Sequence, residues 1–187
     1  MKFILKSMSS YVALWLAAVG MALALAVASP NEISVMGHLP DFMLHTLTRG
    51  PTAMHGRSPP DRTLVLITFQ RDQRAQADSW IAGLNLDKDD SISWMRMPVI
   101  NDPGTLDGRS ALESRLLQNY PADGERAKLV PVFTDRADFV RTLGLGGVHS
   151  SYAVVVNRRG DVLARVAGQF DPEKAQLLRE TLKTRGF

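Results

Sequence analysis

Four histidines are the side chains best suited to metal chemistry, and three of them lie close to a methionine in the sequence. They occur as Met36-Gly-His38, Met43-Leu-His45 and Met54-His55, with His149 near the other end of the chain. Thioether and imidazole groups are suitable ligands for copper. One hypothesis is therefore a copper-binding module that uses His149 and the Met/His-rich N-terminal segment. The alternative is that the methionines pack in the interior and the histidines are solvated or hydrogen-bonded within the fold.

Other reactive groups are missing or badly placed. The chain of 187 residues has no cysteine, which excludes disulfides, thiol–disulfide exchange and thiolate metal sites together. Ser150 is adjacent to His149, and neighbouring residues on a strand point to opposite faces, so the two do not form a catalytic pair. We predict no catalytic residues and no enzymatic redox activity.

The first residues have the pattern of an export signal. Lys2 and Lys6 precede an apolar run that ends in Ala26-Val27-Ala28, a sequence typical of signal-peptide cleavage. We predict a signal peptide over 1–28, with an uncleaved inner-membrane anchor as the alternative, and a periplasmic or otherwise exported body. Without the two lysines the net charge of +3 falls to +1, and no basic run interleaves with aromatic residues. Nucleic-acid binding is therefore not predicted.

The remaining sequence divides into a loose segment and a structured domain. Residues 29–62 are rich in proline and glycine and are predicted to form an irregular linker, with one helical turn around 41–47. From 63 to 187 the pattern predicts the order β-α-β-α-β-α-β-β-α. The strands are expected over 63–69, 91–100 and 129–133, followed by a hairpin around 157–160. The helices are expected over 71–84, 110–119, from 134 or 135 to Gly144, and from Asp171-Pro172 to about 185.

This order resembles the thioredoxin-like fold, an α/β fold with a mixed central β-sheet and helices on both faces. In that family a Cys-x-x-Cys pair stands at the start of the first helix, and a cis-proline precedes the closing hairpin. With Phe69 aligned on the family's aromatic residue, the cysteine slot lies near 74–77 and contains Arg-Ala-Gln-Ala. The proline position falls on Tyr152. The resemblance implies the fold, while both redox features of the family are absent.

Three cysteine-poor or metal-binding groups of that fold are also similar in part. The tract FTDRADFVRTLGLGGVHSSYAVVVNRRGDVLARVAGQFDPEKAQLL resembles the mitochondrial ATP-synthase assembly factor family, whose members are assembly chaperones. Asn101-Asp102 after a strand and Ser150-Ser151 before Val154-Val155-Val156 resemble bacterial YtfJ-type periplasmic proteins. His149, Ser150, Tyr152 and Gly160 match a Sco-type copper chaperone register, which implies a ligand role for His149, although the cysteine ligands of that family are missing here.

The thioredoxin-like resemblance also implies a binding surface, which in that family takes extended peptides beside the hairpin. Here it would be formed by residues 70–77, 149–152 and 168–170. Tyr152 and Phe170 would offer apolar contacts, and Arg71 and Arg74 would donate hydrogen bonds. The alternative is that the two aromatic residues belong to the core. We therefore predict an exported, non-redox protein that binds a protein or peptide, such as a membrane-protein subunit, in envelope assembly or folding.

Overall fold

The computed structural model describes residues 36–40 and 61–183. The signal segment, the helical turn around 41–47, and His45 and His55 lie outside the described residues. The strands are β1 (Arg62–Thr68), β2 (Trp94–Ile100), β3 (Val132–Phe133), β4 (Tyr152–Asn157) and β5 (Val162–Ala167). The helices are α1 (Arg74–Leu84), α2 (Leu106–Gln118), α3 (Asp123–Ala127), α4 (Arg136–Thr142) and α5 (Pro172–Lys183), with a 3-10 turn at Arg71–Gln73 before α1.

The strands form one five-stranded sheet in the order β3-β2-β1-β4-β5. β1, β2 and β3 run parallel, whereas β4 is antiparallel to β1 and forms a hairpin with β5. Parallel strands need crossover helices, which α1 and the α2–α3 segment supply. The chain thus has the α/β thioredoxin-like fold that its sequence order predicts.

Helices cover both faces of this sheet. On one face, α1 and α5 pack on β1, β4 and β5 through Trp80, Ile81 and Leu178. On the other face, α4 packs through Phe139 and Leu143 against β1, β2 and β4, together with Leu39 from the N-terminal segment. β1 is buried on both sides, which explains its continuous apolar sequence.

Capping side chains set the helix ends. The Asp135 carboxylate accepts hydrogen bonds from the amides of Ala137 and Asp138, and Asp171 does the same for Glu173 and Lys174, as predicted. α2 begins earlier than predicted because the Thr105 hydroxyl accepts from the Gly108 amide, at 3.2 Å. The sequence pattern also missed α3, a helix of only five residues.

Residues 36–40 are fixed against the domain although they fall within the predicted linker. The Met36 amide donates to the Val162 carbonyl, and the Val162 amide donates to the Gly37 carbonyl. The Leu39 amide donates to Gly160, and the Leu39 side chain is fully buried. This segment therefore lies beside the start of β5, where His38 forms an isolated bridge with Asp161. Within the described ranges, none of the helices combines the length and apolar character needed to cross a membrane.

Candidate functional site

A buried glutamine closes the turn between β1 and α1. The Gln73 side chain is 2% exposed, and its Oε1 accepts hydrogen bonds from the amides of Phe69, at 2.8 Å, and Gln70, at 3.3 Å. Its Nε2 donates to the Val148 carbonyl, at 2.7 Å. One carboxamide thus joins the end of β1 to the loop before β4.

A second glutamine, one helical turn later, makes the next connection to the same loop. Gln76 lies inside the predicted 74–77 slot, and its Oε1 accepts from the Ser151 amide, at 3.0 Å, and from the Ser151 hydroxyl, at 2.9 Å. The Gly168 amide then donates to the Ser151 carbonyl, at 2.9 Å. The polar backbone groups of Ser151 are therefore satisfied inside the domain, where an extended peptide was expected to bind.

The two aromatic residues predicted to contact a partner both pack against other aromatic rings of the domain, and their contact with a partner stays a prediction. Tyr152 is 7% exposed and packs edge-on against the Phe69 ring, with 6.3 Å between the ring centroids. Phe170 is half-buried, and its ring lies 5.3 Å from that of Trp80 and directly against Gly83. The alternative reading, in which both rings belong to the core and its lid, fits these positions. Tyr152 is the first residue of β4 and lies on the same buried face of the sheet as Val154 and Val156.

Arg74 is brought into a charged cluster around Tyr120. Its guanidinium lies 4.3 Å from the centre of the Tyr120 ring, 3.6 Å from the Asp78 carboxylate and 3.7 Å from that of Glu125. Buried Arg96 on β2 contacts the same two carboxylates. Burial raises the pKa of the Tyr120 hydroxyl, although the two guanidinium groups oppose that shift. Tyr120 therefore stays neutral, and the cluster holds α3 against α1.

Arg71 and Arg74 line a cavity of about 490 Å3 at the carboxyl ends of β1 and β2. Arg115 from α2 and Arg136 from α4 complete a set of four arginines, and none of the described residues that line the cavity is acidic. The carboxyl ends of parallel strands are where open α/β sheets bind ligands. The cavity lies within the size range of ligand pockets in proteins.

Three of these arginines lack an ion-pair partner among the described residues. Within the described part of the chain, Arg71, Arg115 and Arg136 form no ion pair with a carboxylate, whereas Arg74 has two acidic neighbours. Arg136 donates from Nε to the Val99 carbonyl, at 3.1 Å, which holds its guanidinium group beside the end of β2. The cavity is therefore positively charged around an apolar interior.

α2 leaves that interior incompletely covered. The helix has 13 residues and none of them is buried. Leu112 and Leu116 are one turn apart and line the cavity, yet both are only half-buried. A helix of a folded domain ordinarily buries its apolar stripe. The space between α2 and the strand ends can thus receive apolar groups.

The histidines described by the structure do not converge. His149 is exposed, and His38 lies near the hairpin turn with its Nε2 3.9 Å from an Asp161 carboxylate oxygen. Among residues 36–40 and 61–183, no three His, Cys, Asp or Glu side chains are grouped closely enough to hold a metal ion. Because His45 and His55 are outside these ranges, copper binding stays a prediction.

The sequence predicted two of the four cavity arginines but not Arg115 and Arg136. Gln73 and Gln76 fall within the predicted stretch 70–77, but no role was predicted for either side chain. For α2, the spacing of Leu112, Arg115 and Leu116 on one helical face was an available signal. For the glutamines there was no such signal, because glutamine at a helix start is usually solvated.

No known family profile matches the chain, and neither does any curated protein. Solved structures with a similar arrangement include a Chlorobium tepidum protein described as a thiol:disulfide interchange protein DsbE, which is 14% identical over 65% of this chain and 78% of that one, with a TM-score of 0.39. An Aquifex aeolicus protein described as an electron transfer protein is 12% identical over 63% of this chain and 78% of that one, with a TM-score of 0.41. A Neisseria meningitidis protein described as a thioredoxin is 14% identical over 69% of this chain and 83% of that one, with a TM-score of 0.39.

Values this low say nothing about the activity of the present chain. The thioredoxin-like assignment rests on its strand order and strand directions. The resemblances to ATP-synthase assembly factors, YtfJ-type proteins and Sco-type chaperones stay predictions.

Proposed function

We propose that this is an exported, non-redox thioredoxin-like protein that binds a protein or peptide partner as an assembly or folding factor of the cell envelope. The observation that carries the proposal is the cavity at the ends of β1 and β2, with three arginines that have no acidic partner in the described residues. Such a site favours recognition of a partner over chemical conversion of it.

The chemistry of the residues supports binding. Guanidinium groups remain protonated at all physiological pH values and do not serve as acid or base catalysts. The raised pKa of Tyr120 keeps its hydroxyl neutral. At the start of α1, the carboxamides of Gln73 and Gln76 are engaged in internal hydrogen bonds, and a chain without cysteine cannot exchange disulfides.

Export is the part of the proposal that rests on the first residues of the chain. Lys2, Lys6 and the apolar run to Ala28 support secretion across a membrane. Fractionation of the host cell tests it together with N-terminal sequencing. Recovery of the protein from the envelope with Ser29 at its N-terminus is expected, and an intact N-terminus in the cytoplasm would argue against export.

Site-specific photocrosslinking tests the binding function. A benzophenone side chain at Gln70, which is exposed at the cavity, should crosslink to one dominant partner in intact host cells. The same group at Glu173, exposed on α5, is the matched control. The proposal fails if the Gln70 position yields only the background seen at Glu173.

A further inference from the structure

We infer that the cavity recognises a carboxylate next to an apolar side chain, presented by an extended acidic segment of the partner protein. The inference names the partner chemistry for the proposed binding function and so rests on it. Three observations support it: the positive charge of the cavity rim, formed by Arg71, Arg115 and Arg136; the apolar interior of the cavity; and the volume of the cavity.

The rim selects for anions. Arg71 and Arg115 are exposed, have no carboxylate partner in the described residues, and approach the cavity from the α1 start and from α2. Arg136 is half-buried and is oriented by its hydrogen bond to Val99. Guanidinium groups bind carboxylates through paired, charge-assisted hydrogen bonds, and a cationic partner would be repelled.

The interior selects for an apolar neighbour of that carboxylate. Leu112 and Leu116 line the space and are only half-buried by the domain itself. An apolar side chain inserted between α2 and the strand ends would remove both leucines from water. The gain scales with the apolar area covered, so an acidic segment without apolar residues would bind weakly.

The available volume points to a short segment of chain. A cavity of about 490 Å3 holds a few side chains but no folded element. Among the described residues, the arginines that line the cavity come from the turn before α1, from α2 and from α4. Positive charge therefore reaches the opening from more than one element. An extended peptide can place one carboxylate at this rim and the next apolar side chain in the interior.

Binding of labelled peptides to the full-length protein tests the inference. The probe peptide combines glutamate with leucine and phenylalanine, and its matched control has glutamine in place of glutamate. We expect the glutamate peptide to bind on the order of tenfold more tightly at low salt, with the difference shrinking as ionic strength rises. Replacement of both Arg71→Gln and Arg115→Gln should remove most of that difference.

The charge control is Arg141→Gln on α4, an exposed arginine paired with Asp138 and absent from the cavity lining. It should bind the glutamate peptide as the wild type does. Since Arg71 and Arg115 are also exposed, all variants are expected to keep the wild-type circular dichroism spectrum. If Arg141→Gln weakened binding of the glutamate peptide as much as the double variant does, the inference would be overturned.

The remaining outcomes separate the possible failures. Equal binding of the glutamate and glutamine peptides, with a crosslinked partner still captured at Gln70, overturns the inference and leaves the binding function standing. If octanoate displaces the peptide and binds more tightly than it does, the ligand is a free organic acid, and the inference of a peptide segment is overturned. If no peptide binds and no partner is crosslinked, both proposals fail.

Discussion

Replacing Gln73 by alanine tests whether one buried carboxamide holds the start of α1 to the loop before β4. The substitution removes the acceptor for the Phe69 amide and the donor for the Val148 carbonyl. Phe69 is 3% exposed, so its amide has little access to water. The Gln70 amide belongs to an exposed residue and can hydrate instead.

The magnitude follows from these two orphaned groups. A buried donor or acceptor without a partner costs about 1–3 kcal/mol. The freed side-chain entropy of glutamine returns roughly 1.5–2 kcal/mol, while the space left by a fully buried side chain adds a further loss. We expect Gln73→Ala to lower the free energy of unfolding by about 2–4 kcal/mol.

Urea denaturation, followed by tryptophan fluorescence and circular dichroism, measures this change. The matched control is Gln118→Ala at the exposed end of α2, which should stay within about 0.5 kcal/mol of the wild type. The mechanism also predicts a pH signature for Gln73→Glu. The carboxylate can still accept both amide hydrogen bonds, but it cannot donate to Val148 and faces that carbonyl with its charge.

Burial and the facing carbonyl should raise the pKa of the introduced carboxyl group above its unfolded value. The stability deficit of Gln73→Glu should therefore be small below about pH 4 and grow as the pH rises through the folded pKa. A cost of Gln73→Ala indistinguishable from that of Gln118→Ala would refute this account of the turn, as would a deficit of Gln73→Glu that is independent of pH.

Three further predictions concern other parts of the molecule. A Cβ atom at Gly83 would overlap the Phe170 ring, so Gly83→Ala should cost about 1–3 kcal/mol, a cost that vanishes in a Phe170→Ala background. Thermal melts of the four proteins give the coupling, and additive effects would contradict the contact. The hydrogen bond from the Asn157 side chain, aided by Arg159, lowers the pKa of Asp161. Asp161→Asn should thus cost on the order of 1 kcal/mol at neutral pH and progressively less below about pH 4, and an unchanging difference over that range would count against the ionised carboxylate. Metal analysis of protein purified from the envelope should find less than one copper per chain, and stoichiometric copper lost on His149→Ala would instead favour the copper hypothesis.

Local patterns in the chain identified most of the fold. The apolar run of β1 indicated a strand buried on both faces, and Asp135 and Asp171 indicated where α4 and α5 begin. These features could be predicted because strand burial and helix capping depend on residues close together in sequence. The boundaries of α2 and the short helix α3 could not, because Thr105 and residues 123–127 give weak local signals.

Only two of the four arginines in the candidate site could be predicted from the sequence. Arg71 and Arg74 follow directly from the strand–helix junction, whereas Arg115 and Arg136 reach the same cavity from other helices. The thioredoxin-like resemblance implied that Tyr152 belongs to a binding surface, with a position in the core as the alternative. It is buried because it lies on the same core-facing side of β4 as Val154 and Val156.

The sequence by itself determined what chemistry is excluded. Without cysteine, the chain cannot carry out thiol exchange in any conformation. Only the tertiary structure decided which charges meet and which polar groups are satisfied. Arg71, Arg115 and Arg136 become neighbours of one cavity because parallel pairing places the ends of β1 and β2 at the same sheet edge, with α2 and α4 beside them. That convergence depends on strand order and helix docking, which side-chain periodicity along the chain does not specify.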